Sequence, residues 1–434
     1  MQPMRGPTLF LLALCVMPLA AACGDKSQDS SKADKDDDDD DAPKKTKKKA
    51  APSASAAEAT AAPSASEAAP VAGAGMVAIP SGALRAGSSC GAVPRATDEE
   101  LVNPLIQMGD FSIDAYPYPN DPTQPPKLGT TKAEAEGLCQ QAGKRLCSEL
   151  EWERACKGAN NTTFEYGNLY DPKACPAPNP LALGKRDKCK TATGVFDMHG
   201  TGFEWTSSPW GRGRADGYVT VRGYKGVAAN VVRERCASGA GRDPAASQPD
   251  VGFRCCSGTP NSAVVDLPLT RLASIIEDAS VPAETVTKLL KAMPADHQSV
   301  DGVTLSFDHL WRWHPRDNEE LLVARWKGRP SRAAAFYEID VFKVCNDVPT
   351  RVAGMRGPVE KTESLREDTT KEKVSIDLAT KTDKGKVTLS YWYGSVSVTQ
   401  PAWVKAGNKL ETEEATPAKR PVIKMPTKLR PLKK

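Results

Sequence analysis

The sequence predicts an α+β fold in two folded parts, preceded by a long segment of low complexity. When residues up to about position 75 are set aside, roughly 360 of the 434 residues remain, which is enough for two ordinary domains. In the first part, short helical patterns are interspersed with nine cysteines between Cys90 and Cys256. In the second part, helical periodicity comes first and alternating, strand-like runs follow.

Residues 1–22 have the layout of a secretory signal peptide. Arg5 supplies the positive end, Leu9 to Leu19 the apolar stretch, and Ala20 to Ala22 the small residues of a cleavage site. The apolar run is too short to span a bilayer comfortably. Cys23 directly follows the alanines, an order that resembles a bacterial lipobox, in which this cysteine receives lipid. The alternative is plain secretion with an incidental cysteine at this position.

Residues 23–75 are predicted to be disordered. Six aspartates run from Asp36 to Asp41, a lysine-rich run spans Lys44 to Lys49, and an Ala/Ser/Pro stretch follows. Such a composition does not bury enough apolar surface to offset the entropy of the chain. We interpret the segment as a flexible tether; a specific role for its charge blocks is the alternative.

The cysteine content indicates an oxidising compartment. Of twelve cysteines, Cys15 leaves with the signal peptide and Cys23 is the predicted lipid acceptor, so ten remain. In an exported chain a cluster of this kind predicts a disulfide framework. Zinc is disfavoured because there is no CxxC pair and His199 is the one histidine within the cluster. The net charge of +4 is small for this length and gives no reason to expect nucleic acid as a partner.

Two helices can be placed from local signals. Thr131 and Glu134 form a capping box that predicts a helix ending near Gly143, with Cys139 on its apolar face. Ser148 begins a second helix that turns Cys156 inward. Cys175 and Cys189 flank a proline-rich loop, which favours a local pair between them.

Several ordered blocks of residues 76–258 resemble one known family. The opening strands and four later blocks are Met76 to Ser88, Phe111 to Asp121, Gly143 to Gly158, Gly194 to Thr206, Val221 to Gly226 and Arg235 to Cys256. In this order they resemble the formylglycine-generating-enzyme (sulfatase-modifying-factor) family. The resemblance implies a C-type-lectin-like fold with much irregular structure. It also implies the disulfides Cys139–Cys255 and Cys156–Cys236. Cys90, Cys147 and Cys256 then remain, and one of them pairs with Cys345 or stays free.

The resemblance does not extend to the catalytic residues of the family. Formylglycine-generating oxidases hold copper with two reactive cysteines, whose positions fall here on Gly226 and Val231. Neither residue supplies the soft ligand that Cu(I) demands. The family's sulfoxide synthases bind iron through a helical histidine pair, and none of the four histidines forms one; His309 and His314 lie in a strand-like run. Copper is therefore not expected, and no catalytic residue is predicted.

One metal site is implied by the resemblance. In the family, a loop matching Gly200 to Trp205 surrounds a calcium ion, which here implies Glu204 and the carbonyl groups of Gly200 and Gly202 as ligands. The alternative is a buried Glu204 that is hydrogen-bonded to amides of the loop. No cofactor is otherwise required.

Residues 263–410 are predicted to form a small α+β domain of unknown type. Leu272, Ile275 and Ile276 suggest a short helix, and Pro282 begins another. Strand-like runs follow at Glu320 to Trp326, Ala335 to Phe342, Lys373 to Leu378, and Lys386 to Val398, with turn residues at Thr382 to Gly385. Residues 411–434 form a basic, proline-rich tail, for which we expect disorder.

These features predict a lipoprotein of the bacterial cell envelope, outside the cytoplasm and anchored to the membrane by lipid. Because the reactive positions are vacant, we expect a pseudoenzyme that works as a binding module for an envelope protein or a glycan. The alternative is a divergent oxidoreductase, or a maturation factor for exported proteins, that uses other residues.

Overall fold

The structure is a computed structural model that describes residues 75–176, 183–213, 217–226, 229–300, 303–328, 336–357, 361–368, 372–379, 383–399 and 404–405. These residues belong to one compact unit. The predicted signal peptide, the tether with Cys23, and the basic tail lie outside the described residues. None of the helices in the described part has the length and apolar character needed to span a bilayer.

The first half of the described chain contains two helices and ten short strands. Their bounds are β1 Met76–Ile79, β2 Gly82–Gly87, β3 Val102–Met108, β4 Phe111–Asp114, α1 Lys132–Gln141, β5 Arg145–Leu146, α2 Glu149–Lys157, β6 Phe203–Pro209, β7 Val219–Gly223, β8 Gly239–Arg242, β9 Val251–Phe253 and β10 Cys255–Ser257.

Both predicted capping boxes are confirmed. The Thr131 side chain accepts a hydrogen bond from the backbone of Glu134, whose side chain accepts one from the Thr131 backbone, and α1 begins at the next residue. Ser148 and Glu151 make the same reciprocal bonds at the start of α2. All nine residues of α2 are buried, so this helix lies at the centre of the first half.

Two four-stranded sheets hold these helices. One has the order β1-β4-β10-β5 and is antiparallel; the other has the order β8-β7-β6-β9, in which β6 and β9 run parallel. Strands β2 and β3 form a separate hairpin. The core between these elements contains Trp152 of α2 and Trp205 of β6, both almost completely buried.

Five disulfides are present among the described residues. They include Cys139–Cys255, Cys156–Cys236 and Cys175–Cys189, the pairs named above. Cys147 bonds to Cys256, and Cys90 bonds to Cys345. The open question about Cys345 is thereby answered, because it takes one of the three remaining cysteines and leaves the other two for each other.

The second half consists mainly of strands with two short helices. Their bounds are β11 Ser274–Glu277, α3 Ala283–Ala292, α4 Ala295–Gln298, β12 Ser299–Val300, β13 Val303–Thr304, β14 Ser306–His314, β15 Leu321–Gly328, β16 Phe336–Cys345, β17 Val348–Gly357, β18 Lys361–Asp368, β19 Lys373–Ala379, β20 Asp383–Trp392, β21 Ser395–Thr399 and β22 Val404–Lys405.

Two antiparallel sheets of this half pack against each other. The order β11-β14-β15-β16-β17 gives one sheet, and β18-β19-β20-β21, with β22 beside β20, gives the other. Their shared core contains Trp313 and Val341 from the first sheet and Val374 and Leu389 from the second. The helix α3 is confirmed at Pro282 and packs Leu289 against a second apolar cluster that contains Trp326.

Three predictions for this half were wrong in detail. The expected turn residues Asp383 to Gly385 belong to β20, in which Gly385 pairs with Leu378 of β19. Ile275 and Ile276 lie in the strand β11, where they pair with Trp313 and Arg312 of β14; β-branched residues suit such a pleated position. The run Lys386 to Val398 is two strands, because the chain turns at Tyr393 and Gly394, both of which have a positive φ. Gly394 adopts this conformation without the steric cost that a side chain would add.

The two halves are joined by covalent and polar contacts. The Cys90–Cys345 disulfide links the segment after β2 to the end of β16. Arg316 donates two hydrogen bonds to the carboxylate of Asp98, at 2.9 and 3.0 Å. The Thr97 hydroxyl donates to the carbonyl of Asp317 at 3.0 Å. The second half is therefore docked on the loop between β2 and β3.

Candidate functional site

The two vacant reactive positions lie beside the place where Gly200 is hydrogen-bonded to the segment from Tyr224 to Gly226, which we call the loop crossing. Gly226 is buried, and its N–H donates to the Gly200 carbonyl at 3.3 Å, while the Gly200 N–H donates to the Tyr224 carbonyl at 2.7 Å. Val231 is half-buried in the turn that precedes Cys236. Neither residue offers a side chain that binds metal, so the structure places no thiol at either position.

The strand before this crossing contributes an arginine to a buried ion-pair network. Arg222 of β7 is buried and donates hydrogen bonds from Nη2 to Glu149 at 2.9 Å and to Glu153 at 3.0 Å. Burial disfavours the charge, but the two glutamates outweigh that effect and the pKa of Arg222 is raised. Arg222 therefore serves the ion-pair network under α2.

A buried histidine and a buried glutamate lie next to the crossing. His199 is 1 % exposed and Glu165 is 3 % exposed. His199 Nδ1 is 3.7 Å from Glu165 Oε2, too far for a hydrogen bond. Neither ring nitrogen of His199 has a hydrogen-bond partner in the described part of the chain. The Trp152 ring system packs against the imidazole in a T-shaped arrangement, with ring centroids 5.5 Å apart.

A second carboxylate lies near this pair. Burial raises the pKa of Glu234, although the backbone N–H of Asn230, which donates to it at 2.7 Å, and the charge of His199 oppose this shift. The Tyr170 hydroxyl donates to the same carboxylate oxygen at 3.4 Å. The region of the vacant positions thus holds two carboxylates and an imidazole away from bulk water.

A cavity of about 600 Å³ opens from Glu165 toward the surface. Its wall includes Lys157 and Asn160 at the end of α2, and Asp171, Asp187 and Lys188 from the loops beyond. Lys188 Nζ lies 3.2 Å from the Asp171 carboxylate. Because both signs of charge line the cavity, it suits a polar ligand.

Of the implied calcium ligands, Glu204 is bound to a guanidinium group, and the Gly200 carbonyl accepts the hydrogen bond from Gly226. Both oxygens of Glu204 accept hydrogen bonds from Arg254, at 2.6 Å from Nε and 2.8 Å from Nη2. Trp152 Nε1 donates to the same carboxylate at 2.7 Å. A cation at Glu204 would have to displace the positive charge of Arg254, so these residues do not fit calcium. Glu204 is buried and hydrogen-bonded to side chains, whereas the alternative prediction named amides of the loop.

Comparison with known proteins assigns a class to this half of the chain. Residues 118–258 match the model of the sulfatase-modifying factor enzyme 1-like domain. These residues therefore form a formylglycine-generating-enzyme-like domain. The match begins after β4 and ends after β10, so it covers the site described above.

Several curated proteins are similar to this part. The formylglycine-generating enzyme of Bos taurus is 29 % identical over 161 residues, which are 30 % of this chain and 43 % of that protein. The inactive Cα-formylglycine-generating enzyme 2 of Bos taurus is 29 % identical over 149 residues, 29 % of this chain and 48 % of that one. The hercynine oxygenase of Mycobacterium tuberculosis is 33 % identical over 101 residues, which are 20 % of this chain and 23 % of that protein. The chain spans less than half the length of these relatives.

Among solved structures, Treponema denticola variable protein 1 is similar with a TM-score of 0.33 and 14 % identity, covering 42 % of this chain and 94 % of that one. The crystal structure of CarF is similar with a TM-score of 0.32 and 13 % identity, and the match covers 42 % of this chain and 97 % of that one.

Sequence reasoning missed most of this site. Glu165, Glu234 and the cavity carry no local signature in the sequence, and His199 stands out only as the one histidine among the clustered cysteines. The loop crossing that unites them depends on contacts between Gly200 and residues more than twenty positions away. No spacing pattern in the sequence predicts such contacts.

Proposed function

We propose that this chain is a cell-envelope lipoprotein whose formylglycine-generating-enzyme-like domain, of the C-type-lectin-like fold, has lost oxidase chemistry and binds a partner. The observation that carries the proposal is the identity of Gly226 and Val231 at the positions of the reactive cysteines. Without two thiols there is no soft ligand pair for copper. The printed name of the second Bos taurus relative, an inactive enzyme, describes the same kind of loss in that protein.

The cavity at Glu165 is the proposed binding surface. It places Asp171 and Asp187 near Lys188, so charges of both signs lie within about 600 Å³. A polypeptide segment presents donors, acceptors and charges of both signs, and it matches this lining better than a neutral sugar does. The partner is therefore an exported polypeptide.

Site-specific crosslinking tests the binding surface. A photoreactive amino acid is introduced at Ala159, which is exposed and lines the cavity, and at Ala245, which is exposed and does not line it. Illumination of intact cells should give a discrete adduct from position 159 and none from position 245. Equal adducts from both positions would refute the cavity as the binding surface, and loss of the adduct on adding a soluble glycan would indicate a sugar ligand instead.

An oxidase assay tests the loss of catalysis. The unmodified protein, supplied with copper and a Cys-x-Pro-x-Arg peptide, should leave the peptide mass unchanged. The Gly226→Cys/Val231→Cys variant should bind Cu(I) weakly and still not convert the peptide, because Tyr224 and Lys225 stand where the resemblance implies the Gly-Ser pair of the peptide groove. Copper-dependent formylglycine formation by the unmodified protein would favour the divergent oxidoreductase. The buried His199 and Glu234 would then be the first residues to substitute.

Metabolic labelling tests the location. A palmitate analogue should label the full-length chain in a bacterial host and should not label the Cys23→Ala variant. Labelling that survives in the variant would contradict the lipoprotein assignment without affecting the cavity.

A further inference from the structure

Three side chains from separate loops converge at the inner end of the cavity. Ligand atoms of Glu165, Cys175 and Cys189 all lie within 4.8 Å of one another, and all three residues are buried. Cys189 Sγ is 2.7 Å from Glu165 Oε1, and Cys175 Sγ contacts the same oxygen. The two sulfur atoms form a disulfide, which has no proton to donate, so neither contact is a hydrogen bond.

A second group of metal-binding side chains shares the carboxylate of Glu165. It consists of Cys156, Glu165 and His199, and Cys156 is held in its disulfide with Cys236. His199 Nδ1 lies 3.7 Å from Oε2 of Glu165, whereas the sulfur atoms of Cys175 and Cys189 lie against Oε1 of the same carboxylate. His199 is 1 % exposed and its two ring nitrogens have no hydrogen-bond partner among the described residues. A buried polar ring without a partner carries a free-energy cost, which coordination of a metal would remove.

From this convergence we propose that reduction of the Cys175–Cys189 disulfide creates a zinc site with the ligands Cys175, Cys189, Glu165 and His199. Two thiolates, an imidazole nitrogen and a carboxylate oxygen are ligands that tetrahedral Zn²⁺ accepts. The proposal does not require the partner-binding function, because metal binding is measured on the purified protein without a partner.

A dithiol reductant supplies the electrons and protons that the reduction of the Cys175–Cys189 disulfide needs. The dithiol breaks the S–S bond of Cys175 and Cys189 and becomes a disulfide itself, so two electrons and two protons pass to the protein. Zn²⁺ then displaces the two thiol protons, and each sulfur binds the metal as a thiolate. Without the S–S bond the sulfur atoms separate by rotation about their side chains. Both cysteines lie in loops, so no helix or strand resists that movement.

The cavity offers a route for the ion. Glu165 lines the cavity and also contacts both sulfur atoms, so its carboxylate connects the cavity to the two cysteines. The sulfur atoms themselves are buried, which protects the thiolates from bulk oxidants once zinc is bound.

Zinc binding by the reduced full-length protein tests the proposal. The protein is treated with a dithiol, freed of reductant without air, and equilibrated with Zn²⁺ or Co²⁺; alkylation mapping establishes which cysteines are thiols. The wild type should retain one metal ion per chain and show a thiolate-to-cobalt charge-transfer band. The Cys175→Ser/Cys189→Ser variant should lose the band, and His199→Gln should weaken zinc affinity by about tenfold or more, as removal of even an outer-shell partner does.

Two matched variants separate this site from general effects of reduction. The Cys90→Ser/Cys345→Ser variant removes a different pair of thiols, and Glu234→Gln changes a neighbouring buried carboxylate; both should bind zinc as the wild type does. A metal ion that persists in Cys175→Ser/Cys189→Ser would overturn the proposal. So would failure to retain zinc when Cys175 and Cys189 are mapped as thiols and circular dichroism remains native.

A kinetic measurement covers the case in which reduction unfolds the chain. The reduced protein is reoxidised with and without Zn²⁺, and disulfide formation is followed by mapping. Zinc should delay the Cys175–Cys189 bond more than the Cys90–Cys345 bond. Equal delays for both bonds would contradict the proposed ligand set.

Discussion

Glu204 and Arg254 form a buried ion pair with two parallel hydrogen bonds, at 2.6 and 2.8 Å, in the middle of the formylglycine-generating-enzyme-like domain. The pair joins β6 to the residue between β9 and β10. Arg254 also donates to the carbonyl groups of Asp114, Phe196 and Asp197, so its guanidinium holds several loops together. The positive charge sits where the resemblance implied a calcium ion.

The Arg254→Met variant should therefore be strongly destabilised. Removing one partner leaves the Glu204 carboxylate buried without its counter-charge, which costs about 3–5 kcal/mol. Urea denaturation of the variant and the wild type measures the difference. Arg242→Met is a control on a less buried arginine with no ion pair of its own among the described salt bridges, and it should cost less. Equal losses in the two variants would contradict the central role of the Glu204–Arg254 pair.

Calcium removal should leave the domain unchanged. Since Arg254 and Trp152 already satisfy the Glu204 carboxylate, a calcium chelator should not shift the melting temperature of the purified protein. Differential scanning fluorimetry with and without the chelator makes the measurement. A melting temperature that falls with the chelator and recovers on adding calcium would restore the implied site.

The disulfide between Cys90 and Cys345 should stabilise the junction of the two halves. It joins residues 255 positions apart, and loss of a disulfide of this kind costs about 2–5 kcal/mol. The Cys90→Ser/Cys345→Ser variant should melt at a lower temperature, while Asp98 and Arg316 still hold the halves together. An unchanged melting temperature would show that the noncovalent contacts suffice.

Asp340 should make the second half less stable as the pH rises. Burial raises the pKa of Asp340 to about 6, and the charge of Glu338 adds to the shift, while Arg351 opposes it. This pKa is raised above its ordinary value of 3.8. The stability that protonated Asp340 contributes to the folded state is therefore fully present below pH 3.8 and is lost as the pH rises through about 6. Between about pH 5 and pH 8 the loss should be about 1–2 kcal/mol.

The Asp340→Asn variant removes this titration and should flatten the stability profile. Asp347→Asn is the matched control, because Asp347 is exposed at the turn of the same hairpin. Denaturant unfolding at a series of pH values gives both profiles. If the wild type and Asp340→Asn change in parallel with pH, Asp340 is not the responsible group.

Local chemistry explains the parts that sequence reasoning predicted well. The capping boxes at Thr131 and Ser148 set the starts of α1 and α2, because their donors and acceptors lie within four residues of each other. The same holds for α3, whose start at Pro282 and apolar spacing are both local features. The helix expected around Ile275 failed because β14 offers a strand partner some forty residues away.

The sequence by itself determined the capped helices, the vacancy of Gly226 and Val231, and the family blocks that implied the pairs Cys139–Cys255 and Cys156–Cys236. Tertiary structure alone decided that Cys90 bonds to Cys345 and that Arg254 pairs with the carboxylate of Glu204. It also decided that Glu165 lies between His199 and the Cys175–Cys189 disulfide. The physical reason is how far apart in the sequence the contacting residues lie. A helix cap or a missing thiol is a property of a few neighbouring residues. The contacts named above join residues that are tens to hundreds of positions apart in the sequence. Only the packing of sheets and loops into one core brings such positions within bonding distance.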